Sequence, residues 1–186
     1  LAACGGAYSS EWFFSKILHC LRTSPEVFDA AASWVEMSDW VPAMLTGTAA
    51  PGRSRVGICA AGHKAMFNAD WGGYPDAAFL RRLDPKLAAL RARLPAEAHD
   101  ISETAGRLTD AWAARTGLTA GIPVAVGGVD GHVGGVGAGI RPGRLVKTLG
   151  TSGCDMLVVP GDRPCAAIPG ICGIVKGSIL PGCHGI

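Results

Sequence analysis

Apolar positions recur at near-helical spacing through the first ninety or so residues and break into short runs beyond position 122. Trp12, Phe13, Ile17, Leu18 and Leu21 approximate one helical stripe, and Ser9-Ser10 ahead of them can cap it. Ser24 followed by Pro25 predicts a second, short helix, with Ser24 at the cap and Pro25 at the first helical position. Residues 33–37 predict a strand. Ser38-Asp39 then caps a helix over "WVPAML" that stops at Thr46-Gly47, where glycine accepts the left-handed conformation of a helix end. Further helices are expected over 75–83, 84–94 and 109–115, the last closed by Gly117.

The texture changes at Ile122. "IPVAVGG" reads as a short apolar strand running into glycine, followed by a small-residue helix over 130–139. After Arg141-Pro142-Gly143, the runs "RLVKTLG", "CDMLVVP", "GICGIVKG" and "SILPG" predict short strands separated by turn residues, a sheet-led second unit. A domain boundary is therefore expected near 139–143, and the fold class is α/β.

Composition narrows the function. With 48% hydrophobic and 17% charged residues over 186 positions, the chain can bury a substantial core. A net charge of +2 with scattered Lys and Arg gives no footprint for a nucleic-acid partner, and Arg81-Arg82 and Arg91/Arg93 read as solvated helix faces. No apolar run reaches the roughly 18–20 residues of a membrane span. The seven cysteines are odd in number and include no Cys-x-x-Cys pair, which predicts free thiols in a reducing cytoplasm rather than a disulfide framework or a zinc site. A metal cluster built on Cys165, Cys172, Cys183 and His184 is disfavoured by the same spacing rules, and no protein metal site is expected. The chain lacks a starting Met and reads as an internal segment of something longer.

"GGVDGHVGG" over 127–135 concentrates the candidate chemistry. Asp130 falls where a strand ends and a helix begins, a place of free backbone N–H groups and positive helix dipole. Two readings stand side by side. Asp130 caps its own helix while the glycines allow tight packing, or the glycines clear space so that a substrate or a second domain can approach the carboxylate. Gly-x-Gly-x-x-Gly fails, because Ile140 and Pro142 occupy the sixth positions after Gly135 and Gly137, and a Walker-type loop is absent. Further on, Gly150, Thr151, Ser152 and Gly153 form a turn between apolar runs whose N–H groups and hydroxyls suit phosphate oxygens, or simply close a hairpin. Trp12, Trp40 and Trp71 are expected in the core.

"GGVDGHVGGVGAG" followed by "LVKTLGTSGCDML" resembles the core of the FGGY carbohydrate kinases. "YSSEWFFSKILHCLR", "WVEMSDWVPAMLTG", "CAAGHKAMFNADWGG" and "PGICGIVKGSILPG" resemble segments of the members that act on L-ribulose, in the expected order. The resemblance implies the actin/hexokinase-like (ribonuclease H-like) two-domain fold, present in part. Residues 1–141 would be the C-terminal part of the sugar-binding domain and 142–186 the start of the ATP-binding domain. It also implies phosphorylation of L-ribulose by ATP with Mg²⁺ in arabinose catabolism. Asp130 would be the catalytic base and a sugar contact, Lys64 a second sugar ligand, and Gly150, Thr151 and Ser152 the phosphate loop. His132 and His63 are left between the sugar site and simple packing. The family's first phosphate loop and its adenosine-binding segments lie outside these residues, so the 186 residues alone are expected to show negligible activity. Kinases for xylulose, glycerol or another polyol share this chemistry, and a non-catalytic sugar-binding relative is a third reading. Asp130 inside its glycine frame favours retained catalysis, and self-association is left open.

Overall fold

Aromatic and leucine side chains from five helices make the larger core of this chain, whose computed structural model describes residues 1 and 4–186. α1 (Phe13–Thr23) points Phe13, Phe14, Ile17 and Leu21 inward, one stripe of an amphipathic helix. α2 (Pro25–Ala30) adds Phe28, α4 (Ile58–Ala65) adds Ala61 and Ala65, α5 (Ala77–Arg81) adds Leu80, and α6 (Pro85–Leu90) adds Leu87 and Leu90. Tyr74 locks the centre, meeting Phe67 edge-on at 5.1 Å between ring centroids.

Side-chain caps hold the starts of α5 and α6. Asp76 accepts the N–H of Phe79 at 2.7 Å and Asp84 that of Lys86 at 2.8 Å, each supporting an exposed helix start by about 1 kcal/mol. Both helices are shorter than expected, and α6 passes into a 3-10 turn over Arg91–Arg93. Arg91 and Arg93 are not merely solvated. Arg91 stands 5.8 Å from the Tyr74 ring centroid, and Arg93 donates to the carbonyl of Ala31 at 2.9 Å.

α3 (Met37–Thr46) ends at Gly47 in the left-handed conformation, as expected, but begins earlier. The predicted strand over 33–37 does not form. Ser33 donates to the Arg93 carbonyl at 3.2 Å and Trp34 packs 5.9 Å from Phe28, so side chains hold this segment where no neighbouring strand is offered. Ser24 holds the cap position of α2 with Pro25 at its first residue, as expected, whereas the serine caps expected for α1 and α3 do not form. Trp12, Ser24 and Glu36 occupy the cap positions of α1, α2 and α3, and none makes a side-chain cap bond. Asp39 instead turns inward from α3 and accepts the N–H of Gly57 at 2.8 Å.

α3 lies against an antiparallel pair, β1 (Thr104–Arg107) and β2 (Pro123–Ala125), which α7 (Asp110–Thr116) connects between its Thr109 cap and left-handed Gly117. α8 (Asp130–Gly137) packs on the hairpin of β3 (Val146–Leu149) and β4 (Gly153–Met156). A three-stranded antiparallel sheet follows in the order β5-β7-β6, from β5 (Val158–Pro160), β6 (Val175–Lys176) and β7 (Cys183–Gly185). The last strand is thus "CHG" and not "SILPG", which forms the turn before it. Ile140, Met156, Val158 and Ile179 make a second, smaller core under α8 and this sheet.

Of the tryptophans expected inside, Trp12 is half-buried against the main core, whereas Trp40 and Trp71 are exposed. Their ring faces project from α3 and from the 3-10 turn Ala69–Trp71, beyond the stripe that meets the core.

Candidate active site

The strand-to-glycine-to-helix transition places Asp130 at the first residue of α8, one position inside the cap residue Val129. Its side chain is exposed, and its Oδ1 accepts the N–H of Gly131 at 2.8 Å. The helix thus starts without a true side-chain cap, and the carboxylate sits in the positive field of the free N–H groups.

The glycines around it divide by function. A Cβ at Gly127 would stand 2.0 Å from the carbonyl oxygen of Ser38, and one at Gly57 2.3 Å from that of Gly127, so these two allow backbone to touch backbone. Gly135 lies under Met156, whose Sδ would be 3.2 Å from an added Cβ. At Gly134 and Gly137 nothing lies within 4 Å, and at Gly131 only Cys154 Sγ at 3.8 Å. Packing explains the first three. Open space remains over the face of α8 beside Asp130.

Beneath that face runs a buried polar row. Cys59 Sγ lies 3.1 Å from His132 Nδ1, and the His132 ring meets His63 edge-on at 4.6 Å. His63 Nε2 lies 3.0 Å from Ser178 Oγ, which in turn donates to the carbonyl of Val175 at 2.8 Å. Since the Ser178 proton is committed to Val175, the hydroxyl accepts from His63, and the His63 proton is on Nε2. Burial holds both imidazoles below their usual range. For His63 burial and then the neighbouring His132 bring the value to about 3. For His132 burial is the main cause, the Lys64 ammonium adds to it, and the Asp130 carboxylate opposes it. Both rings are neutral at physiological pH.

Lys64 occupies the last turn of α4, half-buried, and its carbonyl accepts the Tyr8 hydroxyl. α4 stops directly after it because Met66 takes a left-handed conformation (φ 54°) and the N–H of Phe67 returns to the Ala61 carbonyl at 2.9 Å. The charges of Lys64 and Asp130 both bear on His132, so the two predicted residues lie within electrostatic reach of one buried ring. Gly150, Thr151 and Ser152 form the exposed tip of the β3–β4 hairpin, closed by Gly150 N–H on the Ser152 carbonyl at 3.0 Å. The hairpin stem reaches α8 at Cys154, while the tip projects outward with its two hydroxyls free of protein partners among the described residues.

All seven cysteines are free thiols; Cys4 and Cys59 are buried, and Cys154 and Cys172 exposed. Among the described residues no three His, Cys, Asp or Glu side chains are arranged to hold a metal ion, and no helix is long and apolar enough to cross a membrane. Cys59 and Ser178 escaped the sequence reading, and Asp39 was read there as a helix cap and not as a buried acceptor. Only Asp39 left a signal there, as a carboxylate in an otherwise apolar helix.

No protein-family model matches the chain. It is 48% identical over 181 residues to a ribulokinase of Vibrio parahaemolyticus, covering 95% of this chain and 31% of that protein. A ribulokinase of Bacillus licheniformis is 42% identical over 180 residues, with 96% and 31% covered. Another, of Mycolicibacterium smegmatis, is 40% identical over 183 residues, with 97% and 31% covered. The chain therefore spans about a third of the length of these relatives. Among solved structures, a xylulose kinase from Rhodospirillum rubrum superposes with a TM-score of 0.78 at 24% identity, over 100% of this chain and 35% of its own. A gluconate kinase from Lactobacillus acidophilus superposes with a TM-score of 0.70 at 16% identity, over 98% and 34%. By sequence the chain is a stretch homologous to the ribulokinases, about a third of their length, and its fold is the corresponding part of the actin/hexokinase-like fold of FGGY sugar kinases.

Proposed function

We propose that the protein carrying this chain phosphorylates L-ribulose to L-ribulose 5-phosphate at the expense of MgATP, as a step of arabinose catabolism. The observation that carries this reading is the carboxylate of Asp130, exposed at the start of α8 in a stretch homologous to ribulokinases, with Lys64 in its neighbourhood. Residues 1–141 would complete a sugar-binding domain and residues 142–186 begin an ATP-binding one. The cleft between them would close on the substrates.

In the transfer, the attacking sugar hydroxyl gives its proton to the Asp130 carboxylate while its oxygen bonds to the γ-phosphorus. The bond from that phosphorus to the bridging oxygen breaks, and ADP leaves. Phosphoryl transfer asks little of base strength, because its loose transition state is served mainly by positioning and by neutralising the phosphate oxygens. The open face of α8 beside Gly131 and Gly134 gives the sugar access to Asp130. Lys64 would donate hydrogen bonds to sugar oxygens, and Gly150, Thr151 and Ser152 would donate to phosphate oxygens, with Mg²⁺ arriving on the nucleotide.

The test is ADP release by the full-length protein with L-ribulose, D-xylulose and glycerol in parallel, and Asp130→Asn as control. Turnover with L-ribulose that collapses in the Asn variant supports both substrate and base. Preference for another polyol retains the mechanism and replaces the substrate. Undiminished turnover in Asp130→Asn removes Asp130 from the chemistry.

A further inference from the structure

We propose that Cys59 is a positioning residue for Asp130, its thiol gripping α8 on both sides of that carboxylate by accepting the N–H of Val129 and donating to Nδ1 of His132. The inference rests on the reading of Asp130 as the base. Val129 N lies 3.4 Å and His132 Nδ1 3.1 Å from the Cys59 sulfur, so the residue before Asp130 and the residue two after it are tied to one atom of α4. A thiol has one proton to give and lone pairs to accept, which matches one donor and one acceptor partner. Burial raises the thiol to about 11, so its proton stays in place at working pH.

α8 needs such a tether. Gly131, Gly134, Gly135 and Gly137 fill half of its eight residues, each costing about 1 kcal/mol of helix propensity relative to alanine. The cap position holds Val129, which offers no side-chain acceptor. A helix so composed and uncapped frays at its first turn unless packing holds it, and Asp130 is its first residue. Cys59 is completely buried in α4, so its sulfur has little freedom to follow a moving helix. His63 stands edge-on to His132 and is itself fixed through Ser178, which keeps the His132 ring from swinging out of reach of the thiol. With Nδ1 accepting from Cys59, the neutral His132 carries its proton on Nε2.

In the full-length enzyme, Cys59→Ala removes both bonds, and Cys59→Ser keeps a donor and an acceptor on a shorter arm. A catalytic group displaced by about 1 Å can lose on the order of 10²-fold in rate. Cys59→Ala should therefore lower kcat between about tenfold and a hundredfold, with KM for ATP unchanged because the hairpin is untouched. Cys59→Ser should retain more of kcat than Cys59→Ala. Nitrogen chemical shifts of His132 in the wild type should report the Nε2–H tautomer, a readout independent of turnover that stands even where the alanine variant does not fold. Wild-type kcat per folded molecule in Cys59→Ala, equal losses in the two variants, or an Nδ1–H tautomer would each overturn the proposal. A wild-type enzyme that phosphorylates no sugar sinks the kinase reading instead, and is recognised before any Cys59 variant is made.

Discussion

Asp39 offers the sharpest test of the packing that underlies the site. It is 2% exposed, and its Oδ1 accepts the N–H of Gly57 where Gly57 and Gly127 bring three backbone segments together. Burial dominates its ionisation and lifts the carboxyl to about 7, with the Gly57 bond pulling it back and the nearby Glu36 charge adding to the rise. In the unfolded chain the same group titrates near about 4. Between those two values the folded state holds a proton that the unfolded state has released. The contribution of Asp39 to stability is therefore full below about pH 4, is lost as pH rises towards 7, and is constant above that.

At about 1.4 kcal/mol per pH unit, a span of some three units amounts to about 4 kcal/mol. Asp39→Asn keeps the oxygen that Gly57 needs and cannot ionise. The variant should match the wild type near pH 4.5 and exceed it increasingly up to pH 7.5. Urea denaturation at half-unit pH steps, followed by the fluorescence of the neighbouring tryptophans, reads the difference directly and cancels the titration of every other group. A difference that stays flat with pH, or a wild type that gains on the variant as pH rises, would mean that Asp39 is ionised in the fold, and the burial argument fails.

Gly127→Ala should destabilise the fold by about 3 kcal/mol or more, because its Cβ would lie 2.0 Å from a backbone carbonyl that cannot step aside, and thermal denaturation will show it. Gly134→Ala meets nothing within 4 Å and should stabilise α8 by up to about 1 kcal/mol in the same assay, while crowding the open face next to Asp130 enough to raise KM for the sugar. Leu80→Ala empties a site that is completely buried in the helical core and should cost about 2–5 kcal/mol, read from the urea midpoint. Lys86→Ala breaks an exposed ion pair with Asp29 at 2.6 Å and should cost less than about 1 kcal/mol, a loss that shrinks further in high salt.

The parts of this fold that were legible in the sequence are those set by local chemistry. Gly47 and Gly117 end their helices because left-handed residues favour glycine, and Pro25 opens α2 from the first helical position after Ser24. What was not legible depends on neighbours distant along the chain. Residues 33–37 have strand-like residues but no partner strand, and the carbonyl of Arg93, sixty residues on, takes the Ser33 hydroxyl instead. β7 forms at Cys183–Gly185 because it fits between β5 and β6, a register that no short window reveals. Trp40 and Trp71 are large and apolar, yet their helical turns present them away from the core.

The glycines around Asp130 show why a local pattern can support two readings at once. From the sequence they form a single run, and either tight packing or access to the carboxylate explains all of them. In the structure the run separates by what stands opposite each residue. Gly127 and Gly135 face protein atoms, and glycine is required there for the fold. Gly134 and Gly137 face none, and a helix would be steadier with alanine at either position. Glycine in those places costs helix stability without any return in packing, which is expected where a surface must stay clear for something outside the chain. That asymmetry, and not the number of glycines, is what supports the proposed access to Asp130 across the open face of α8. A helix that gives up propensity at those positions depends the more on contacts such as those of Cys59 with Val129 and His132.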